Sequence, residues 1–512
     1  MSSDAVGLER VSRIIGYKIT KGNFSNTTPN LPQRIAILAE ANSANQLSFT
    51  DGAPQEITSA QQAGQLYGYG SPIHHIMRIL RPNSGTGIGG IPTVVYPQKE
   101  VSEGAAAKVL TLVPEGTATA NGTHTLVIAG RTGLDGVFYD INIQVGDDAE
   151  AISSKIVTAV SAVLGCPLTA TLGGGEDEDE VILTSKWKGL TANDISVSVN
   201  TNDKDLGITY DITATTAGSG TPGIAAALSS FGNEWNTIVI NSYGTVSNVI
   251  EALEDFNGVP DPENPTGRYS GIIMKPFIAL TGFTGEDPSL VTDVADRKDQ
   301  VTIAICPAPL SKGLAMEAAA NMAVLFGRQT QDTPHLDVAA RSYPDMPTPA
   351  GIGLMARYED RDALVKKGCS TVDLVNGRYA VQDFVTTYHP EGENPPQFRY
   401  CRNLMLDFNI RFSYFLKEQT YVVDHAIAAN DDIVSASKVV KPKQWKQVLD
   451  QMADDLARRS LIVDAGFMKD SIEVSISSIN PDRLETFFKY KRSGFARISS
   501  TTVEAGFNFG NV

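Results

Sequence analysis

Thr237-Ile-Val-Ile-Asn241 is a short apolar run, and a helical pattern from Val246 to Phe256 follows it. Similar runs recur at Ile272-Ile-Met-Lys-Pro276 and at Val301-Thr-Ile-Ala-Ile-Cys306, and a helix over Leu314 to Phe326 follows the second of these. Short apolar runs that alternate with helices predict a partly parallel sheet covered by helices. We therefore expect an α/β core.

Signals before residue 100 extend this core towards the N-terminus. Arg34-Ile-Ala-Ile-Leu-Ala39 has the pattern of a buried strand, and a helix is predicted over Ala60 to Tyr67. Ser71-Pro72 begins a second helix, Ile73 to Leu80. The simplest organisation is one α/β domain that is split by an insertion at residues 101–220.

The inserted segment differs from the rest of the chain in composition and charge. It is rich in Thr, Ala and Gly, and its 16 acidic and 6 basic residues give it a net charge of −10, against −16 for the whole chain. A helix is predicted over Ala149 to Leu164. Its predicted strands are Thr125 to Ala129, Asp140 to Val145, Leu168 to Leu172, Val181 to Thr184 and Ile195 to Val199. We expect a small α+β domain on the outside, because like charges favour solvent.

The region after residue 435 predicts a unit that is too small to be stable alone. A helix is expected over Gln444 to Leu461, with strands over Ser471 to Ser477 and Arg483 to Arg492. Two strands and one helix bury a marginal core, so strands from elsewhere would complete this sheet. The predicted arm-accepting residues are Ile472, Val474, Ile476, Phe488 and Tyr490.

Both ends of the chain have strand patterns with no partner in the sequence. Unpaired strands at chain ends indicate strands that are lent to neighbouring molecules. The predicted arm residues are Val11, Ile15, Tyr17 and Ile19 at the N-terminus and Phe495, Ile498, Val503, Phe507 and Phe509 at the C-terminus. Flexible joints are predicted at Thr20 to Pro32 and at the hinge residues Ser493 and Gly494.

The predicted fold class is a multidomain α/β and α+β chain, in which strand exchange between subunits completes the C-terminal domain. Its core is a split α/β domain that carries a β-rich insertion. The predicted segments are an N-terminal arm (1–20), the two parts of the core (21–100 and 221–434), the inserted outer domain (101–220), the C-terminal α+β assembly domain (435–494) and a C-terminal arm strand (495–512).

Composition excludes several classes of protein. A formal charge of −16 argues against direct binding of nucleic acid. Cys166, Cys306, Cys369 and Cys401 are far apart and show no C-x-x-C spacing, which favours reduced thiols in a cytoplasm. No apolar run approaches the roughly 20 residues of a membrane span, so membrane insertion is not expected. The first ten residues lack the apolar region of an export signal.

Motifs for catalysis, cofactors or metals are not found in the sequence, and we expect none of these sites. Gly85-Thr-Gly-Ile-Gly-Gly90 matches G-x-G-x-x-G, but a helix precedes it and an extended stretch follows, so a loop is predicted. His74 and His75 would point about 100° apart on a helix, which does not suit one metal. Glu176 to Glu180 is predicted to be a solvated hairpin turn, since it lacks the spacing of a calcium loop.

Two charged surfaces are predicted to contact other subunits. Lys489, Lys491, Arg492 and Arg497 form a basic patch, which we expect to pair with an acidic surface of a neighbour. The helix Gln444 to Leu461 carries a charged face opposite its apolar stripe, and this face is a candidate for contact with another protein. The residues of this face are Asp454, Asp455, Arg458 and Arg459.

Several stretches together resemble the tail sheath proteins of contractile bacteriophages, most closely the Mu-like type. They occur in the expected order over most of the chain. The stretches are Ala63 to Pro72; Thr125 to Gly130, Val145 to Asp147 and Lys188 to Asp194 in the insertion; Val338 to Pro349 with Arg357-Tyr358 and Leu364 to Cys369; and Thr386 to Tyr388 with Arg402-Asn-Leu.

The resemblance implies a structural protein and not an enzyme. Such subunits form stacked hexameric rings, a helical polymer around a tail tube, and exchange terminal strands with their neighbours. The sheath contracts and drives the tube through the host envelope during genome delivery. Implied partners are further copies of the chain, the tail tube protein, and the baseplate and tail terminator proteins. The implied location is the virion tail, assembled in the host bacterial cytoplasm.

An alternative class is a secreted or surface protein that binds or hydrolyses carbohydrate and carries a β-rich accessory domain. Such a protein requires an export signal and a carbohydrate-binding or catalytic site, and the sequence shows neither.

Overall fold

The fold is that of a computed structural model, which describes residues 29–83, 85, 87–175, 179–261, 263–349, 357–393 and 396–505. Its helices are α1 (Ala60–Tyr67), α2 (Pro72–Leu80), α3 (Ala149–Ala162), α4 (Ala225–Ser229), α5 (Ser247–Asn257), α6 (Ser289–Thr292), α7 (Ala315–Asp332), α8 (Tyr358–Lys366), α9 (Cys401–Tyr421), α10 (Pro442–Arg458) and α11 (Ala465–Asp470). Its strands are β1 (Ile35–Glu40), β2 (Gln55–Glu56), β3 (Thr93–Gln98), β4 (Ala107–Gly116), β5 (Gly122–Ile128), β6 (Gly133–Leu134), β7 (Val137–Phe138), β8 (Asp140–Ile143), β9 (Leu168–Leu172), β10 (Val181–Lys188), β11 (Val197–Asn200), β12 (Ile208–Thr216), β13 (Ile238–Asn241), β14 (Ile278–Phe283), β15 (Ile303–Pro307), β16 (Thr371–Val375), β17 (Arg378–Asp383), β18 (Ala426–Ile427), β19 (Val439–Val440), β20 (Ile462–Val463), β21 (Glu473–Ile476), β22 (Leu484–Phe487) and β23 (Lys491–Arg492).

A six-stranded sheet forms the core, in the order β15-β14-β13-β1-β3-β2. Its strands run parallel except β2, which pairs antiparallel with β3. Alternate residues of β1 enter different apolar clusters, because successive side chains point to opposite faces. Ile35 and Ile37 belong to a cluster that includes α2 and α7, and Ala36 and Leu38 to one that includes α4 and α5. The sequence-based prediction of a helix-covered, partly parallel sheet is confirmed.

Helix α7 lies close against the sheet. Gly282 of β14 faces the first turn of this helix, and a Cβ added there would lie 1.7 Å from the carbonyl oxygen of Ala315. Ten further buried residues, from Met316 to Phe326, continue the contact along the helix. The absence of a side chain at Gly282 therefore sets how closely the helix and the sheet approach.

Residues 101–220 fold into sheets whose strands pair with one another. One sheet has the order β12-β4-β10-β9 and another the order β11-β5-β8. Helix α3 packs against β8 and β9 and buries Ile152, Ile156 and Val160. The five predicted strands and the helix are all present. Two long strands, β4 and β12, were not predicted. Strand β4 alternates buried and half-buried residues over Val109 to Val113, and most of the Thr-rich Ile208–Thr216 is exposed.

The predicted strand over Ile272 to Pro276 is wrong. Ile272 is 97% exposed, and Met274 has a φ of 40°. The backbone N–H groups of Ile273 and Met274 both donate to the carbonyl of Ser270, so these residues form a tight turn. The strand of this region is β14, which begins just beyond Pro276.

The predicted single strand from Arg483 to Arg492 is also wrong, because it is divided into β22 and β23. Between them the backbone of Lys489 bonds to a side chain instead of a neighbouring strand. Its N–H donates to Ser471 Oγ at 2.8 Å, and Ser471 Oγ donates to its carbonyl at 3.2 Å. The chain then pairs with β20, Ile462 opposite Arg492.

We expect Gly282→Ala to lower the free energy of unfolding by at least about 3 kcal/mol, because the new methyl group overlaps backbone atoms that cannot rotate away. Urea titration monitored by circular dichroism measures the change. Gly271→Ala is the matched control, since a Cβ there meets nothing within 4 Å. Equal stability of the two variants would contradict the close approach of α7 and β14.

Candidate assembly interface

Strands β21 and β22 form a two-stranded antiparallel sheet near the end of the chain. Their register places Val474 opposite Thr486 and Ile476 opposite Leu484. This hairpin is one of the small sheets, and no third strand joins it among the residues that the structure describes. It is the unit in which the sequence predicts an arm-accepting sheet.

One face of the hairpin packs on the body and the other faces solvent. Val474, Leu484, Phe488 and Tyr490 pack against a cluster that contains Trp445 and Leu449 of α10. Of the predicted accepting residues, Ile472 is 1% exposed and precedes β21, and Ile476 is half-buried. Phe488 and Tyr490 follow β22. The predicted residues are therefore brought to one face, although only Val474 and Ile476 lie within the paired strands.

The outer edges of both strands carry backbone groups that the hairpin does not pair. The N–H of Ser477 donates to the carbonyl of Arg483 at 2.9 Å. Antiparallel partners alternate between bonded and non-bonded pairs, so Val474–Thr486 and Ile476–Leu484 are non-bonded pairs. Their backbone N–H and C=O groups point outward along the two edges. A strand of another chain can pair with such an edge.

The C-terminal segment becomes exposed as it leaves the body. Residues 493–505 contain no paired strand. Ile498 is 85% exposed and Val503 is 77% exposed, whereas Phe495 is half-buried. The remaining predicted arm residues lie outside the described residues: Val11, Ile15, Tyr17, Ile19, Phe507 and Phe509.

The predicted hinge residues have different surroundings. Ser493 is buried, and its N–H donates to the carbonyl of Leu461 at 3.2 Å. Arg402 donates to the Ser493 carbonyl at 2.9 Å and to its Oγ at 2.8 Å. Gly494 is exposed, and a Cβ added there would meet nothing within 4 Å. Sequence reasoning did not identify Arg402 as part of this region; Arg402-Asn-Leu entered only through the resemblance.

The prediction that the basic patch pairs with a neighbouring subunit is wrong for most of its members. Arg492 forms a two-pronged ion pair with Asp407, with a shortest distance of 2.6 Å, and Lys491 lies 2.6 Å from Asp464. Arg497 pairs with Asp337 and Asp383. These carboxylates lie 27 to 160 positions away in sequence, so no local pattern revealed them.

The helix predicted over Gln444 to Leu461 is observed as α10. Only part of its predicted charged face is exposed. Asp455 is 6% exposed and lies 3.5 Å from Arg459, whose guanidinium donates to Asn30 at 2.8 Å. Asp454 and Arg458 are exposed. The prediction of a single charged outer face is wrong, because Asp455 and Arg459 pack inside the molecule.

An ion-pair network joins the insertion to the core. Arg131, in the insertion, lies 3.1 Å from Glu317 of α7 and 2.6 Å from Asp345. The Glu317 side chain is only 1% exposed. Burial is the largest single effect and would raise the pKa of Glu317, but Arg131, the neighbouring His75 and Arg78 together outweigh it and lower that pKa to about 2. Stabilisation by this carboxylate is therefore complete above its ordinary pKa and is lost as pH falls towards 2.

A second buried carboxyl lies where β1 meets the insertion. Glu40 ends β1 and is 1% exposed, and Thr191 Oγ donates to it at 3.3 Å. Burial raises the pKa of Glu40 to about 8; the Thr191 hydrogen bond opposes this shift and Glu100 adds to it. The folded protein therefore holds a proton on Glu40 that the unfolded chain releases near pH 4.5.

The other features raised by the sequence have structural explanations. The G-x-G-x-x-G stretch lies in the connection between α2 and β3, as predicted. Residues 176–178 of the acidic turn lie outside the described ranges, and the strands on either side pair as a hairpin. The described residues contain no group of three or more candidate metal ligands. None of the helices that the structure describes is long and apolar enough to cross a membrane.

No protein-family model matches the sequence, and no curated protein matches it. Solved structures do match. A sheath tail protein from Desulfitobacterium hafniense is 11% identical over 93% of this chain and 100% of that chain, with a TM-score of 0.44. A chain of the anti-feeding prophage baseplate is 11% identical over 97% and 100%, with a TM-score of 0.46. A chain of the anti-feeding prophage helical sheath in the contracted state is 9% identical over 97% and 100%, with a TM-score of 0.42.

The chain resembles a tail sheath protein. The solved structures matched thus belong to the class that the sequence resemblance names. The Mu-like type stays a prediction.

We expect Arg131→Met to cost about 3–5 kcal/mol of unfolding free energy, because it removes the arginine beside the buried Glu317 carboxylate and leaves His75, 3.6 Å away, next to it. Adding Glu317→Gln should recover most of that loss. Lys438→Met is the control, since its ion pair with Asp424 is exposed and should be worth about 1 kcal/mol or less. Urea titrations that show equal losses for Arg131→Met and Lys438→Met would refute the importance of the network.

We expect Glu40→Gln to stabilise the protein at alkaline pH. The folded state binds the Glu40 proton more tightly than the unfolded state, so wild-type stability falls as pH rises from about 4.5 towards 8. The amide cannot ionise, and the variant should gain upwards of about 1 kcal/mol near pH 8.5 and little near pH 5. Urea titrations at both pH values measure this, and a pH-independent difference would argue against a protonated Glu40.

Proposed function

We propose that the protein is the structural subunit of a contractile tail sheath. Copies assemble by lending terminal strands to the open edges of the hairpin β21–β22. The observation that carries this proposal is the coexistence of a hairpin that no third strand joins among the described residues and an exposed C-terminal segment of strand-forming sequence. The ordered set of sheath-like stretches in the sequence supports it.

The added strands would link subunits while their bodies move. Backbone hydrogen bonds between strands are directional and tolerant of sequence, so they can persist as bodies rotate as rigid units. In this proposal the subunits form stacked hexameric rings around a tail tube, with baseplate and terminator proteins at the ends. Contraction then drives the tube through the host envelope. The subunit is a virion component that assembles in the host cytoplasm and needs no cofactor.

Each segment of the chain would have its own role in the sheath. Residues 21–100 and 221–434 would form the sheath body, 435–494 the assembly domain, and 1–20 and 495–512 the arms. The acidic insertion, 101–220, would face outward from the polymer. The Arg131 network joins that insertion to the body, so an insertion-free variant also requires Glu317→Gln to avoid a buried unpaired carboxylate.

We expect removal of either arm to leave a folded body that does not polymerise. The variants lack residues 1–18 or residues 498–512; the second retains Arg497, because removing it would strand Asp337, whose side chain is 1% exposed. Circular dichroism should be unchanged, and electron micrographs should show wild-type rings or tubes but none from the truncated chains. Tubes of normal form from both truncated chains would refute strand exchange.

Proline substitutions should identify the hairpin edge that accepts a strand. Val474→Pro removes an outward N–H from β21, and Thr486→Pro removes one from β22. Thr486→Val and Val474→Thr are matched controls that alter the side chain and keep the N–H. We expect one of the two proline variants to abolish tubes in micrographs while remaining folded. If both variants form tubes as readily as their controls, neither edge accepts an arm.

A further inference from the structure

Two arginines hold the C-terminal segment against the body before it becomes exposed. Arg402 is 3% exposed and donates to the Ser493 carbonyl, to Ser493 Oγ and, at 3.4 Å, to the Gly494 carbonyl. Its Nε donates to the carbonyl of His335 at 2.7 Å, which fixes the guanidinium to the body. A buried guanidinium with several directed bonds is a rigid contact, since its planar fork loses little freedom per bond.

Arg497 makes the second set of contacts between this segment and the body. Its guanidinium pairs with the buried carboxylate of Asp337, lies 3.4 Å from that of Asp383, and stacks 3.7 Å above the ring of Tyr400. The ring of Phe495 lies between the two arginines, 5.6 Å from the Arg402 guanidinium and 5.2 Å from that of Arg497. Beyond Arg497, residues 498–505 are exposed.

The N-terminal segment enters the body on the same helix. The N–H of Leu31 donates to Asn409 of α9 at 2.9 Å, and Asn30 donates to the carbonyls at the end of α7. Asn409 is fully buried. Arg402 and Asn409 are seven residues apart, which is about two turns or roughly 10 Å along one face of the helix. Both chain ends are thus anchored on α9.

We propose that residues 493–497 form a fixed root, held by Arg402 and Arg497, and that the movable C-terminal arm begins at Ile498. Arg497 is a positioning residue. It fixes the point at which the movable arm begins, so that the arm does not pivot at Ser493 and Gly494. Because residues 30–31 contact both α9 and the end of α7, strain on the N-terminal arm reaches both helices, and strain on the C-terminal arm reaches α9 through Arg402. The role of the arm in assembly rests on the proposed function; the root itself does not.

The test of the root is hydrogen–deuterium exchange on the full chain. Amides of residues 493–497 should exchange at least about tenfold more slowly than those of 498–505. Arg497→Gln combined with Asp337→Asn removes the Arg497 contact without leaving a buried charge. It should erase that difference for residues 495–497, while residues 493–494, which Arg402 holds, and peptides elsewhere stay unchanged. Lys491→Gln with Asp464→Asn neutralises a nearby exposed pair and should have no such effect.

Two exchange results would overturn the root. One is equal exchange on both sides of Arg497 in the wild-type chain, and the other is unaltered protection in the Arg497→Gln/Asp337→Asn variant. Arg402→Lys gives an independent check, because a lysine keeps the charge and cannot hold both Ser493 and Gly494. We expect it to loosen residues 493–494 selectively.

The consequence for assembly has a separate readout. A freely swinging arm meets its acceptor at a lower effective concentration, so the Arg497→Gln/Asp337→Asn variant should polymerise roughly tenfold more slowly by light scattering. The Lys491→Gln/Asp464→Asn control should match wild type. Equal rates in all three chains would show that the root does not position the arm. A wild-type chain that never polymerises would refute the proposed function and leave the exchange result standing.

Discussion

Helix α7 must lie in direct contact with the central sheet, and much of the remaining structure is attached to this helix. The contact is possible because Gly282 has no side chain where the helix begins. Glu317, the third residue of the helix, forms an ion pair with Arg131 of the insertion, and the carbonyls of Gln331 and Asp332 at the other end accept hydrogen bonds from Asn30. A displacement of α7 would therefore disturb the core, the insertion and the entry of the N-terminal segment together.

The sequence predicted the elements whose signal is local. Buried parallel strands are continuous apolar runs, so β1, β13 and β15 were recognisable, and the Ser71-Pro72 start of α2 is observed with Ser71 Oγ accepting from the N–H of His74. Ile272 and Ile273 show the limit of this signal, since an apolar pair in a tight turn reads like the start of a strand. The half-buried strands of the insertion were missed where polar threonines occupy them.

The candidate interface was predictable only in outline. Alternating residues after Ile472 indicated a small hairpin, and the strand-like chain ends indicated an exposed tail. The partners of Arg492 and Arg497 could not be predicted, because ion pairs between α9, the segment after α7 and the C-terminal residues depend on the tertiary fold. For the same reason the basic patch, which reads as a free surface in sequence, is largely neutralised within the molecule.

The four cysteines of the chain are all buried and unpaired. Burial raises the pKa of each thiol, to about 12 for Cys369 and well above the ordinary value for Cys401. Thiolates are the form that reacts with oxidants and disulfides, so these protonated, buried thiols are unreactive towards both. In the proposed assembly, copies of the chain are then held together by non-covalent contacts, and their assembly should be indifferent to the redox state of the surroundings.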